Sequence, residues 1–189
     1  MGLIVHSLNE FPLKAERDYY IYLLRGSWDD EITQALQQNF LQLADMASRN
    51  NAAVIRGTEG HHFGNEVFDW HHLNGIERED FLPSIVITTL HPAQFRDEAA
   101  ENWRDLRNDH LLAIPLKDKF KSARDITALL ARITKDIKDQ KPLRDFSIAE
   151  EMRAGVGGAV MDAFVLRPTI AGFGVDLKAL ASAFKKRKA

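Results

Sequence analysis

Residues 61 to 75, HHFGNEVFDWHHLNG, hold four of the chain's seven histidines together with two carboxylates. Imidazole and carboxylate groups bind divalent metals and exchange protons near neutral pH. On a helix, residues three or four apart are neighbours. His62, Glu66 and Asp69 then share one stripe, and His72 follows Asp69 by three positions. A divalent metal could be held by His62, Glu66, Asp69 and His72. His72, Asp69 and Glu66 would then be the acid/base groups of a metal-assisted hydrolase, and His91 could join from the end of a strand. Adjacent histidines diverge by about 100° on a helix, so His61 and His71 leave in other directions. The stretch also lacks the H-E-x-x-H spacing of known zinc helices. The reading preferred here is a structural helix over about 64 to 74, with Phe63, Val67 and Trp70 buried, no catalytic residue and no resident cofactor.

Other chemistries find little footing. The chain has no cysteine, which removes disulfides, thiolate nucleophiles and thiol redox chemistry. Gly155-Val156-Gly157-Gly158 lacks the Lys-Ser/Thr of a phosphate loop, and no G-x-S-x-G nucleophile elbow occurs. Arg56, Thr58 and Glu59, just after a strand, could contact a small ligand or nucleotide. A net charge of -2 gives no electrostatic pull toward nucleic acid. The lysines and arginines of 117 to 144 alternate with aspartates, as on a solvated helix face.

The elements that would position these groups alternate. YYIYLLR at 19 to 25 is a buried strand, and Ser27 with Asp30 marks the start of a long helix carrying Ile32, Leu36, Phe40, Leu43 and Ala47 inward. AAVIRG at 52 to 57 and FLPSIVITTL at 81 to 90 are further strands. Phe95, Ala99, Trp103 and Leu106 share a helical face. HLLAIPL at 110 to 116 is a strand whose Pro115 argues for a sheet edge. Ser122 and Asp125 cap a helix with Ile126, Leu129, Leu130, Ile133 and Ile137 inward. This alternation predicts a mainly parallel sheet covered by helices on both faces.

The order of strand, long helix, strand, then Leu82-Pro83-Ser84-Ile85-Val86-Ile87 resembles the thioredoxin-like fold, over roughly residues 18 to 140. That family places a proline, usually cis, immediately before its third core strand. The resemblance implies the scaffold without the disulfide exchange, because the position of the redox pair, Gly26 to Asp30, reads GSWDD. A helix at 93 to 107 departs from the family, which joins its last two strands by a hairpin. A flavodoxin-like or Rossmann-like doubly wound parallel sheet is the alternative.

The expected domains are a thioredoxin-like α/β domain at 1 to 141 and a C-terminal extension at 142 to 189, where glycines and small residues accumulate. Within the extension, Arg167, Phe173, Leu177 and Phe184 are the expected partner-binding residues. Phe173 stands between two glycines, which suits an aromatic anchor on an arm. The function expected on these grounds is a non-redox, thioredoxin-like interaction module, a subunit of a bacterial multi-component system that docks a protein partner or its own copy through the arm. The metal-assisted hydrolase around 61 to 72 is the alternative. No apolar run approaches a membrane span and the start does not read as a signal peptide, so the expected location is cytoplasmic, away from the membrane.

Overall fold

A computed structural model describes residues 1–27, 30–71, 81–95, 110–117 and 119–155. Five strands form one open mixed sheet: β1 Gly2–Val5, β2 Tyr19–Leu24, β3 Ala52–Gly57, β4 Ser84–Thr88 and β5 Leu111–Pro115, in the order β1-β3-β2-β4-β5. The described helices are α1 Glu31–Gln38, α2 Phe40–Arg49, α3 Gly60–Trp70, α4 Ala123–Lys138 and α5 Ser147–Gly155. β3 runs parallel to both β1 and β2, whereas β4 is antiparallel to both β2 and β5.

This topology corrects the expectation of a mainly parallel sheet and overturns the doubly wound parallel alternative. A crossover helix at 93 to 107 would have returned the chain parallel to β4. β5 instead lies antiparallel beside β4, from Ser84 opposite Pro115 to Thr88 opposite Leu111, and antiparallel neighbours need no crossover. Pro92–Phe95 begins the connection as a 3-10 turn, and residues 96 to 109 lie outside the described residues.

The central strands read as continuous apolar runs because both sheet faces are covered. Every residue of β2 and of β4 is buried. One face packs Tyr19, Ile21, Leu23, Ile85 and Ile87 against α1, α2, α4 and α5. The other packs Tyr20, Tyr22, Leu24 and Val86 against α3, Phe81 and the 3-10 turn Leu8–Glu10. β1 shows no alternation long enough to register in the sequence, and the expected first strand, at 19 to 25, is in fact the second. Pro115 does sit on an edge strand.

The expected long helix divides at Asn39, which closes α1 and opens α2. Its side-chain amide donates to the Ala35 carbonyl at 2.8 Å and competes with the regular ladder. The N-cap is Asp30 rather than Ser27: its carboxylate accepts from the Ile32 and Thr33 N–H groups. At α4 the expected capping box of Ser122 and Asp125 is present.

Residues 142 to 155, assigned from the sequence to the extension, contribute Leu143, Phe146, Ile148, Ala149 and Met152 to the same core as α4. Burying Phe146 alone stabilises by about 2–3 kcal/mol. Asp136 fastens this join. One of its oxygens meets Lys141 Nζ at 2.8 Å, and the other accepts from the Ser147 N–H and hydroxyl at 2.7 and 2.8 Å. The Lys141 carbonyl in turn accepts the Tyr19 hydroxyl at 2.7 Å. Glu151 adds ion pairs to Lys119 and Arg132.

Candidate functional site

The three mutually parallel strands direct their carboxyl ends to one edge of the sheet, the place where ligands gather in open α/β sheets. His6 to Leu8 follow β1, Arg25 to Ser27 follow β2, and Thr58 to His62 follow β3. Leu82-Pro83 reaches the same edge from the opposite direction, since antiparallel β4 begins there with Ser84 facing Leu24.

The centre of this edge is tightly bound together. The Leu82-Pro83 peptide is cis. A Cβ at Gly26 would stand 3.0 Å from Pro83 Cδ and 3.5 Å from an Asp30 carboxylate oxygen. A side chain there would press on the proline, so glycine suits the point where the chain leaves β2. The Gly26 N–H donates to Thr33 Oγ1 at 3.1 Å, and that hydroxyl donates to Asp30 at 2.9 Å. Asp30 thus holds the start of α1 and, through Thr33, the end of β2. From the sequence, Asp30 stands as the acidic partner of a Ser27 cap rather than as the cap itself, and Thr33 is not singled out; Asp30-x-x-Thr33 was the cue.

Arg25 lies beside this knot. Its guanidinium donates to the carbonyls of Gly57 and Thr58 at 3.3 and 3.0 Å and packs on Gly60. Burial lowers its pKa, with a further push from the charge on Arg56. Arg56 stands 4.5 Å over the Phe40 ring, on the α2 side. Thr58 gives its N–H to Val5 and its hydroxyl contacts His6 Nδ1 at 3.4 Å. Glu59 is exposed at the N-terminus of α3 and makes no capping bond. Arg56 and Thr58 therefore engage different neighbours, Phe40 on the α2 side and His6 after β1.

α3 begins at Gly60, earlier than expected, and buries Phe63, Gly64, Val67 and Phe68, with Trp70 half-buried. The histidine-rich face divides. His62 stacks on His6 with ring centroids 4.8 Å apart and planes 22° from parallel. Glu66, one turn on, accepts the Ser7 hydroxyl and the Leu8 N–H, each at 2.6 Å. Both residues serve the segment after β1, a placement that no local pattern foretells. Asp69 is exposed, and His72 lies outside the described residues. His61 is exposed, while His71 turns inward and donates from Nδ1 to the Val67 carbonyl at 2.8 Å, its ring 5.0 Å from Tyr22. Among the described residues, no three of His, Asp and Glu stand close enough to share a metal ion.

His91 is engaged elsewhere. Its ring packs edge-on against Phe11 and Tyr20. Nδ1 accepts the Ala93 N–H at 3.1 Å, which leaves the proton on Nε2 to donate to the Pro12 carbonyl at 3.3 Å. A groove of about 420 Å³ opens between α2 and α4 over Leu43, Met46 and Leu130, and none of the site residues expected from the sequence lines it. The expected arm residues Arg167, Phe173, Leu177 and Phe184, and all of 156 to 189, lie outside the described residues.

The chain matches no family model, no curated relative and no solved structure. Among the described residues, no helix is long and apolar enough to cross a membrane.

Proposed function

We propose that this chain is a non-redox, thioredoxin-like interaction module that works as a subunit of a multi-component system. The observation that carries the reading is the packing of Pro83, immediately before β4, against Gly26 at the junction of β2 and α1. The strand order, with β4 and β5 antiparallel, supports the same scaffold. At the position where the resembled family carries its redox pair, this chain has Asp30, and its carboxylate is committed to capping α1. A cysteine-free chain cannot exchange disulfides there. Glu66, the best-placed carboxylate of the hydrolase alternative, is likewise committed to Ser7 and Leu8. Recognition of a protein partner then falls to surfaces away from this knot, foremost the C-terminal arm with Arg167, Phe173, Leu177 and Phe184.

The test is quantitative co-purification of the full chain with its partner, beside F173A and F184A variants. The expected result is a partner bound at fixed stoichiometry and lost from both variants, with unchanged thermal unfolding. Unchanged assembly in both variants would overturn the role of the arm. Stoichiometric zinc, manganese or nickel in protein purified without a histidine tag would shift the reading to the hydrolase.

A further inference from the structure

Among the described residues the sheet ends at β1 and at β5, and these two edges are built differently. β5 ends in Pro115, which has no N–H to offer, and the 3-10 turn Leu143–Asp145 packs beside it. β1 is Gly-Leu-Ile-Val, with no charge and no proline to discourage pairing. The Met1 and Val5 carbonyls accept from Val54 and Thr58 at 2.8 and 2.9 Å. Odd-numbered residues therefore turn their backbone polar groups toward β3. By the alternation of a strand, Gly2 and Ile4 turn theirs outward.

The flank above this edge is apolar. A Cβ at Gly2 would meet the Ala44 Cβ, so Gly2 and Ile4 share the α2 side of the sheet. Leu43 and Met46 line the groove toward α4. Ala44, and Leu41 three residues before it, therefore lie on the opposite flank, over β1. Ile4 is 51% exposed and Leu41 is 78% exposed. The two charges of α2, Asp45 and Arg49, pair with each other at 3.0 Å and lie along the groove toward α4, and Arg56, the β3 partner of Ile4, is drawn over the Phe40 ring.

We propose that the β1 edge pairs with the β1 edge of a second copy, antiparallel, joining two five-stranded sheets into one. The edge is self-complementary. Gly2 faces Ile4 of the second copy, Ile4 faces its Gly2, and the two Leu3 residues meet on the dyad. Each Gly2–Ile4 pair exchanges two N–H···O bonds. Ile4 and Leu41 of both copies close over the dyad. One four-residue strand and one helix side chain from each copy make a small interface, at the weak end of the roughly 1,200–2,000 Å² scale of stable ones. The dimer is accordingly weak, with a dissociation constant on the order of 100 μM.

Sedimentation velocity of the full chain from roughly 10 μM to 1 mM tests this against that expected constant. Dimerisation should weaken at least tenfold in I4K and, independently, in L41E, two surface changes on different elements. The absence of native cysteine gives a second readout. L3C should form a disulfide-linked dimer under mild oxidation far faster than L13C, whose position is exposed (76%) but away from β1. A chain that stays monomeric to 1 mM, dimers indifferent to both charges, or equal crosslinking at positions 3 and 13 would each overturn the proposal.

Discussion

Glu66 on α3 and Ser7 after β1, 59 positions apart in sequence, are joined by a hydrogen bond of 2.6 Å. The other oxygen of the same carboxylate takes the Leu8 N–H at the same distance. This carboxylate is a structural clamp. Short bonds to an ionised acceptor are among the stronger ones, and losing one leaves a donor unpaired. E66A should destabilise the fold by about 1–3 kcal/mol and E66Q by less, since its remaining oxygen still accepts. The urea midpoint measures both, and an unchanged midpoint in E66A would refute the clamp.

Tyr22 poses the opposite case. Its hydroxyl is fully buried and finds no hydrogen-bond partner among the described residues. Removing such a group relieves a desolvation cost, so Y22F should leave stability unchanged or raise it by about 1 kcal/mol. A loss of more than about 1 kcal/mol in chemical denaturation would reveal a partner for that oxygen.

The same burial controls alkaline behaviour. Burial raises the pKa of Tyr19, Tyr20 and, most strongly, Tyr22, with Asp18 and Asp136 adding at Tyr19. A phenol whose folded pKa is raised keeps its stabilising effect below the unfolded value of 10.0 and loses it as pH climbs further. Tyrosinate absorbance should therefore rise late and together with unfolding. Three independent titrations near pH 10 in the folded state would contradict this.

Asp136 sets the acid limit. Burial pushes its carboxyl up, but the bonds from Lys141 and Ser147 outweigh that push and hold it below the ordinary value of 3.8. Its contribution is present above that ordinary value and fades as pH falls through the folded pKa. D136N should cost about 2–3 kcal/mol at pH 7 by disrupting the network around a buried polar group. It should also flatten the pH dependence of stability below pH 4. An unchanged acid limb in D136N would assign that limb to other carboxylates.

Gly57 closes β3 directly beneath α3. A Cβ there would stand 2.2 Å from Phe63 Cβ and 2.7 Å from its Cγ. Neither atom is a movable chain end, so G57A should cost about 2–3 kcal/mol through overpacking. A thermal midpoint within a degree of the parent would show that α3 can slide.

Much of the scaffold could be read in the residues themselves. β2, β3 and β4 announced themselves as unbroken apolar runs, the Ser122 cap as a local motif, and Pro115 as an edge residue. All of these depend on neighbours within a few positions. The direction of β5 was not legible, because a strand's own side chains do not record whether its connection crosses over. β1 was missed for a related reason: four residues carry too short a period, and the partner strand lies some fifty positions away. At the candidate site, the separation of His61 and His71 from the rest followed from helical geometry. The commitments of His62 to His6 and of Glu66 to Ser7 did not, since they are set by tertiary approach. The break at Asn39 escaped because an asparagine within an apolar helical period does not show where its amide will bond.

β1 also shapes the order in which this molecule can assemble. Residues 2 to 5 pair in the sheet with β3 alone, so their ladder cannot form until residues 52 to 57 are made. β1 is thus made before the strand it pairs with and settles in the sheet only after that strand. Loop closure of this length slows folding, and an apolar strand left waiting is open to other chains. The rate of β1 docking, followed by pulsed hydrogen exchange at Leu3 and Val5, should trail that of the β2–β3 pair.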